Sequence, residues 1–211
     1  MDESSLEHLP PVYRVALASA RPRESHLFAT LFALDARLGR AVREASEPII
    51  AQMKLAWWRD RFAQAPDEWP AGEPLLARLE QWGGAAAQLG SLVDGWEELV
   101  AGEELDAQGA ERFAAGRAAS WDALASVVGV SPDDGAFAAS AVQFTWGDLW
   151  DRGFELPLNS VSIDQPVRLP RSLRPFAVLG NLGRRAASKK RPMLDGLPSL
   201  ALAVRTGLIG R

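Results

Sequence analysis

Apolar residues along most of this chain recur every three or four positions, which is the spacing of one face of an α-helix. Between residues 23 and 45 they fall at Leu27, Leu31, Leu34, Leu38 and Val42. The pattern restarts after the run SEP at residues 46–48, which offers a serine cap and an early proline. We therefore predict two consecutive helices, the second capped by Ser46 and ending near Phe62.

The remainder of the chain shows the same helical period. It predicts helices over about 74–82, 84–101, 106–128, 134–151, 172–188 and 196–208. Ser131 is a candidate cap for the helix at 134–151. Proline and glycine predict a loop at 65–74 and an irregular connection at 152–171. No alternating run is long enough for a strand, so we predict one all-α domain over residues 1–211, with 186–211 as its less tightly packed end.

Composition narrows the possible functions. A chain of 211 residues can build a sizeable core, and its net charge of −4 argues against general nucleic-acid binding. The absence of cysteine excludes disulfides and thiolate metal sites, and two histidines are too few for a histidine-based zinc centre. The first ten residues are acidic where a secretory signal is basic. We expect a cytoplasmic protein, at most peripheral to the inner membrane.

Residues 31–62, LFALDARLGRAVREASEPIIAQMKLAWWRDRF, resemble the first core helices of the squalene and phytoene synthases. They resemble more closely the divergent relatives that include complex I assembly factors. Weaker likeness continues in EPLLARL, LGSLVDGWEELV, AERFAAGRAASWDALASVVG, VRLP and LRPFAVLGNLGRR. The resemblance implies an all-α isoprenoid-synthase-like bundle. Active members join two prenyl diphosphates head to head, with Mg²⁺ held by two aspartate-rich motifs on facing helices.

The first of these motifs is lost from the sequence. In the family's register its acidic positions fall on Gly39, Arg40 and Arg43. Asp35 remains, but the next acid, Glu44, lies two and a half helical turns further on and therefore on the opposite face. Two guanidinium groups in place of two carboxylates would repel Mg²⁺. Arg40 and Arg43 suit phosphate binding in the former cavity, or else ion pairs within the bundle, for instance with Glu44, Glu47 or Asp94.

The second motif is ambiguous. Counted back from VRLP it falls at residues 157–161, which contain no acid. With a small insertion, Asp148 and Asp151 could occupy part of it and hold one metal ion weakly, since they are three residues apart on a predicted helix. Asp94 and Glu98 lie in a segment that resembles another acidic segment of the family. They could share a helix face as part of a site, or they could be the salt-bridged end of a helix.

Two further features allow both a functional and a structural interpretation. The eight tryptophans could line a prenyl channel, although core packing explains most of them. Tyr13, His8 and His26 have no partner at a recognisable spacing. Residues 165–194 hold eight bases and no acid; the bases are Arg168, Arg171, Arg174, Arg184, Arg185, Lys189, Lys190 and Arg191. This 168–191 segment could meet anionic lipid, an acidic partner protein, or only solvent.

The sequence therefore favours a synthase-like protein with degenerate metal motifs, non-catalytic and with a binding or assembly role near the membrane. For that function we expect no cofactor. One alternative is an active Mg²⁺-dependent prenyl diphosphate transferase that uses Asp148 and Asp151. Another is a protein that binds a prenyl diphosphate or phospholipid ligand.

Overall fold

The computed structural model describes residues 9–100, 105–131, 134–154 and 165–210. The described residues contain helices and no strand, which confirms the all-α prediction. The α-helices are α1 Pro11–Leu17, α2 Ser25–Arg43, α3 Pro48–Phe62, α4 Pro74–Leu79, α5 Gly90–Glu97, α6 Ala107–Val128, α7 Asp134–Asp151, α8 Arg174–Lys189 and α9 Leu197–Ile209. Short 3₁₀ segments span Pro66–Glu68, Glu80–Leu89 and Arg171–Leu173.

Helices α2 and α3 follow the predicted apolar faces but not the predicted cap. The leucines of the α2 pattern are buried, and α3 starts at Pro48 as expected. The prediction of Ser46 as the cap is wrong. Glu47 takes that place, because its backbone is extended (φ −140°, ψ 146°) immediately before the first helical residue, and its side chain makes no capping bond. The proline at the first position needs no capped N–H there.

The helix predicted at 84–101 is shorter than the pattern suggested. A 3₁₀ segment occupies Glu80–Leu89, and α5 begins only at Gly90. Gly83 has φ 52° and ψ −135°, a conformation that glycine adopts readily and that interrupts a regular helix. This break lies between the helices predicted at 74–82 and 84–101, but the apolar spacing did not show that residues 84–89 form a 3₁₀ segment and not an α-helix.

Glycines allow the central helices to approach very closely. A Cβ atom built on Gly147 of α7 would lie 2.3 Å from the Cα of Gly183 in α8. A second close contact joins α6 to α5, where a Cβ on Gly116 would lie 2.2 Å from the carbonyl oxygen of Ser91. Such backbone contact is possible only without a side chain. It brings the neighbouring residues of α5, α6 and α7 into the same part of the core.

Most tryptophans belong to the core, as the packing interpretation predicts. Those at 58, 69, 82, 96, 121 and 146 are buried. Trp57, by contrast, is 38% exposed, so only Trp58 of the adjacent pair packs inward.

The chain closes with α8 and α9. Helix α9 packs on α8 and on α1. Within the described residues, none of the helices is long and apolar enough to cross a membrane. Part of the irregular connection predicted at 152–171, residues 155–164, lies outside the described ranges, and so do the residues that follow the predicted cap Ser131.

Candidate functional site

A fully buried arginine lies at the centre of the bundle. Arg117, on α6, has 0% of its surface exposed. Its guanidinium carbon lies 4.1 Å from the ring centre of Phe113, 4.6 Å from that of Phe144 and 5.4 Å from that of Trp96. Aromatic rings attract a cation, but a buried charge still needs an opposite charge close by.

Two carboxylates from different helices provide that charge. Arg117 Nη2 donates to Asp148 Oδ2 of α7 at 2.6 Å, and Arg117 Nε lies 3.3 Å from Asp35 Oδ2 of α2. Arg117 Nη1 also donates to Thr145 Oγ1 at 3.4 Å. The guanidinium therefore joins the carboxylates of α2 and α7, the two helices on which the family resemblance set acidic motifs.

The remaining carboxylate oxygens also have donors. Trp96 Nε1 donates to Asp35 Oδ1 at 2.6 Å, and the Tyr13 hydroxyl donates to Asp35 Oδ2. Arg152 Nε lies 3.1 Å from Asp148 Oδ1, and its guanidinium lies 4.8 Å from the ring centre of Trp96. Two carboxylates thus balance two guanidinium groups. We call Tyr13, Asp35, Trp96, Arg117, Thr145, Asp148 and Arg152 the Arg117 cluster.

The surroundings of the Arg117 cluster determine the protonation states of its members. Burial opposes ionisation of Asp148, but Arg117 and Arg152 outweigh it and lower the pKa of this carboxyl below its usual value. Burial likewise opposes the charged form of Arg117, but Asp35 and Asp148 raise its pKa above that of ordinary arginine. Burial, helped by the charge of Asp35, raises the pKa of the Tyr13 phenol well above its usual value. Asp148 is therefore ionised and Tyr13 neutral near pH 7.

Arg40 and Arg43, for which the sequence left anion binding and ion pairing open, are not members of this cluster. Arg43 is exposed, and its Nη2 lies 3.5 Å from Glu44 Oε1. Arg40 is half-buried and lines a surface groove. Neither arginine pairs with Asp35 or Asp148, whose shared cation is Arg117. Asp35 is buried and Glu44 exposed, which agrees with the opposite faces predicted for them.

The other predicted acids have separate partners. Asp151 lies at an exposed edge, where its carboxylate accepts a hydrogen bond from the backbone N–H of Met193 at 3.2 Å. Partial burial raises the pKa of Asp151. Asp94 accepts from Arg59 Nε of α3 at 2.8 Å.

Glu98 faces a different helix from Asp94. It forms a two-pronged pair with Arg112 of α6, with both bonds 2.7 Å long. The structure therefore does not bring Asp94 and Glu98 together, and the salt-bridged interpretation of both residues agrees with these contacts.

Sequence reasoning missed Tyr13, Trp96 and Arg117. A signal existed for Arg117, since it lies four residues from both Phe113 and Trp121 on an apolar helix face. A charged residue on such a stripe predicts a buried ion pair. Tyr13 and Trp96 carry no comparable signal, because their partner Asp35 is distant in sequence from both.

A groove about 570 Å³ in volume lies on the surface between α2 and α3. Its lining combines the cations Arg37, Arg40 and Lys54 with the acids Glu44 and Glu73 and the apolar Ala41, Met53, Trp57 and Trp58. Arg37 Nη2 lies 3.7 Å from Glu73 Oε2. The groove therefore offers both apolar surface and positive charge to a ligand.

The basic 168–191 segment contains residues with partners inside the protein and residues exposed to solvent. Arg185 forms a pair with Asp195 at 2.7 Å, and Arg174 donates to two backbone carbonyls near the end of α9. Lys189 and Lys190 are exposed.

Comparison of the chain with protein-family models, with curated proteins and with solved structures finds no match.

Proposed function

We propose that this protein is a non-catalytic, squalene/phytoene synthase-like helical protein with a binding or assembly role near the membrane. The single observation that carries the proposal is Arg117, a permanent cation held between the carboxylates of Asp35 and Asp148.

The carboxylates of the cluster do not fit a magnesium site. Mg²⁺ requires several oxygen ligands in octahedral geometry and usually keeps water molecules. Here both oxygens of Asp35 and both oxygens of Asp148 already face donors, two of which are guanidinium groups. A divalent cation would have to displace a buried guanidinium and would then meet its charge at close range. We therefore derive no catalytic step through magnesium.

The first acidic position of the family register has no room for an acid. A Cβ atom built on Gly39 would lie 2.7 Å from the indole of Trp96, so the indole takes up the space of a side chain. At the other two positions, Arg40 is half-buried in the lining of the surface groove and Arg43 is exposed. Loss of the motif is thus accompanied by packing that fills its place.

One assay tests the lack of catalysis. Purified protein is incubated with farnesyl or geranylgeranyl diphosphate and Mg²⁺, alongside an active synthase as positive control. We expect no squalene, phytoene or cyclopropyl precursor. Formation of any of these products would overturn the proposal. If product forms and Asp148→Asn abolishes it, the active transferase alternative is the correct one.

The groove between α2 and α3 favours a second candidate function, binding of an anionic amphiphile. Its volume is within the range of about 300–1,000 Å³ typical of ligand sites. Native mass spectrometry should then detect a co-purifying prenyl diphosphate or phospholipid. Arg40→Ala should reduce its occupancy, whereas Arg112→Ala, which is remote from the groove lining, should not. A ligand-free spectrum of the wild-type protein would count against this second function.

A further inference from the structure

Helix α9 has a row of large apolar side chains on its outer face. Leu197, Leu200, Val204 and Leu208 follow one another at spacings of three, four and four, with 81%, 43%, 59% and 73% of their surfaces exposed. We call these four residues the α9 stripe. The opposite face of the helix, with Ser199, Ala203 and Thr206, is buried. Contiguous exposed apolar surface of this kind marks an interaction site.

The orientation of the stripe is determined by specific contacts. Arg174 Nη1 donates to the carbonyl oxygens of Gly207 at 2.8 Å and Leu208 at 2.6 Å, which fixes the C-terminal end of α9. At the other end, the Ser199 hydroxyl donates to the carbonyl of Gly196 at 2.7 Å and accepts from the N–H of Asp195 at 3.1 Å. The bundle thus holds α9 with its stripe directed outward.

Positive charge borders the stripe. A groove about 380 Å³ in volume separates α8 from α9 and is lined by Arg184, Arg185, Ser188, Lys189, Pro198, Ala201, Leu202 and Arg205. Arg185 is paired with Asp195. Across the described part of the chain, Arg184, Lys189 and Arg205 have no ion-pair partner. The groove therefore places unneutralised cations beside exposed aliphatic carbon.

The charge of the whole chain is divided in the same way. Residues 165–211 contain ten bases and one acid, Asp195, whereas residues 1–164 contain 13 bases and 26 acids. A protein of net charge −4 thus concentrates its positive charge in the part of the chain that contains the stripe.

We propose that α9 is an interfacial helix that docks the protein on an anionic lipid bilayer. The α9 stripe would enter the boundary between head groups and acyl chains, and Arg184, Lys189 and Arg205 would meet lipid phosphates. This proposal rests on the proposed role near the membrane and identifies α9 as the surface that contacts the lipid. It is independent of whether the protein is catalytic.

Other occupants of this surface fit less well. A symmetric dimer through α9 would bring two copies of the same basic surface together. In each copy, Asp195 is the single acid of residues 165–211 that could offset their positive charge. A protein interface would be expected to centre on aromatic or arginine anchors, whereas the stripe contains only leucine and valine. Aliphatic side chains flanked by lysine and arginine match the two layers of an anionic membrane surface.

The absence of cysteine from the chain gives a direct test of insertion. Val204→Cys in the full chain is labelled with an environment-sensitive fluorophore. It is then mixed with vesicles of equal parts phosphatidylcholine and phosphatidylglycerol, or of phosphatidylcholine alone. We expect a blue shift and higher intensity only with the anionic vesicles, weakened by salt because the cations contribute to binding. The control, Ile49→Cys, places the label on an apolar residue of α3 that is 54% exposed and does not line the groove between α2 and α3, and its spectrum should not change.

Vesicle co-sedimentation tests the same surface without a label. Val204→Glu, and separately Lys189→Gln with Arg205→Gln, should each weaken binding roughly tenfold or more, whereas Ile49→Glu should not. These residues are exposed, and circular dichroism verifies that the variants fold.

Three results would overturn the docking proposal. These are no binding of the wild-type protein to anionic vesicles, equal loss with Ile49→Glu, and a dimer in solution that Val204→Glu dissociates while the wild type binds no vesicles. Synthase products in the prenyl diphosphate assay would instead overturn the lack of catalysis and leave α9 docking untouched.

Discussion

Replacement of Arg117 by methionine tests the Arg117 cluster most directly. Methionine has a similar length and keeps much of the packing against Phe113 and Phe144, so the change mainly removes the charge. Asp35 then loses its cation, and Asp148 keeps only the partly exposed Arg152. Breaking a buried ion pair in this way costs about 3–5 kcal/mol of unfolding free energy, because the remaining charge is desolvated and uncompensated.

The loss of unfolding free energy caused by Arg117→Met should increase with pH. In the wild-type protein the folded-state pKa of Asp148 is lowered, so its contribution to stability is present above the usual aspartate pKa of about 4 and is lost as pH falls through the folded-state value. In the Arg117→Met variant the main charge that offsets burial is gone, so burial raises the pKa of Asp148. The carboxyl then destabilises the fold increasingly as pH rises. The difference between wild type and variant should therefore be larger at about pH 8 than at about pH 5.

Urea unfolding followed by tryptophan fluorescence measures this difference. At an m-value of about 2–3 kcal/mol/M, the expected loss of about 3–5 kcal/mol lowers the urea midpoint by about 1–2.5 M. Arg59→Met is the matched control, since Arg59 pairs with Asp94 and Glu97 but is 40% exposed, and exposed pairs are worth less than about 1 kcal/mol. The reasoning fails if Arg117→Met costs no more than the control, or if its cost is the same at both pH values.

Two further substitutions examine the same part of the core. Asp35→Asn should lower the unfolding free energy measured in urea by about 3 kcal/mol. The double variant with Arg117→Met should lose less than the sum of the two single losses, because both substitutions remove the same ion pair. Simple additivity would contradict the pairing. Gly39→Ala should lower stability by about 1–3 kcal/mol through the clash with Trp96, whereas Gly90→Ala, which meets no atom within 4 Å, should be neutral or slightly stabilising. Equal effects of the two alanines would argue against tight packing at Gly39.

Periodicity predicted the helices well, because amphipathic helices in a bundle show their buried face in the sequence. The clearest case is α2, where the residues of the predicted apolar face are buried or half-buried over Ser25–Arg43. Periodicity placed a break at Gly83, between the helices predicted at 74–82 and 84–101, but it did not show that residues 84–89 form a 3₁₀ segment and not an α-helix.

The Arg117 cluster was predictable only in part. Asp35 and Asp148 were recognised as the acids of interest, but their common partner lies on a third helix. Tyr13 and Trp96 join them from two further helices. A contact between residues so far apart depends on how the helices pack, and that packing depends on backbone contacts such as Gly116 with Ser91. The sequence left anion binding and ion pairing open for Arg40 and Arg43, and neither belongs to the cluster: Arg43 lies beside Glu44, and Arg40 lines the surface groove.

The location of the charges argues for function at the surface of this protein. In the Arg117 cluster, carboxylates and guanidinium groups satisfy one another, and such a balanced interior has little to offer a charged ligand. The unneutralised cations Arg184, Lys189 and Arg205 lie instead at the groove beside the α9 stripe. If binding is the function, substitutions in the cluster should act through stability, and substitutions around α9 should act on membrane binding with stability unchanged. A cluster variant that stays folded yet no longer binds vesicles would show that this separation is false.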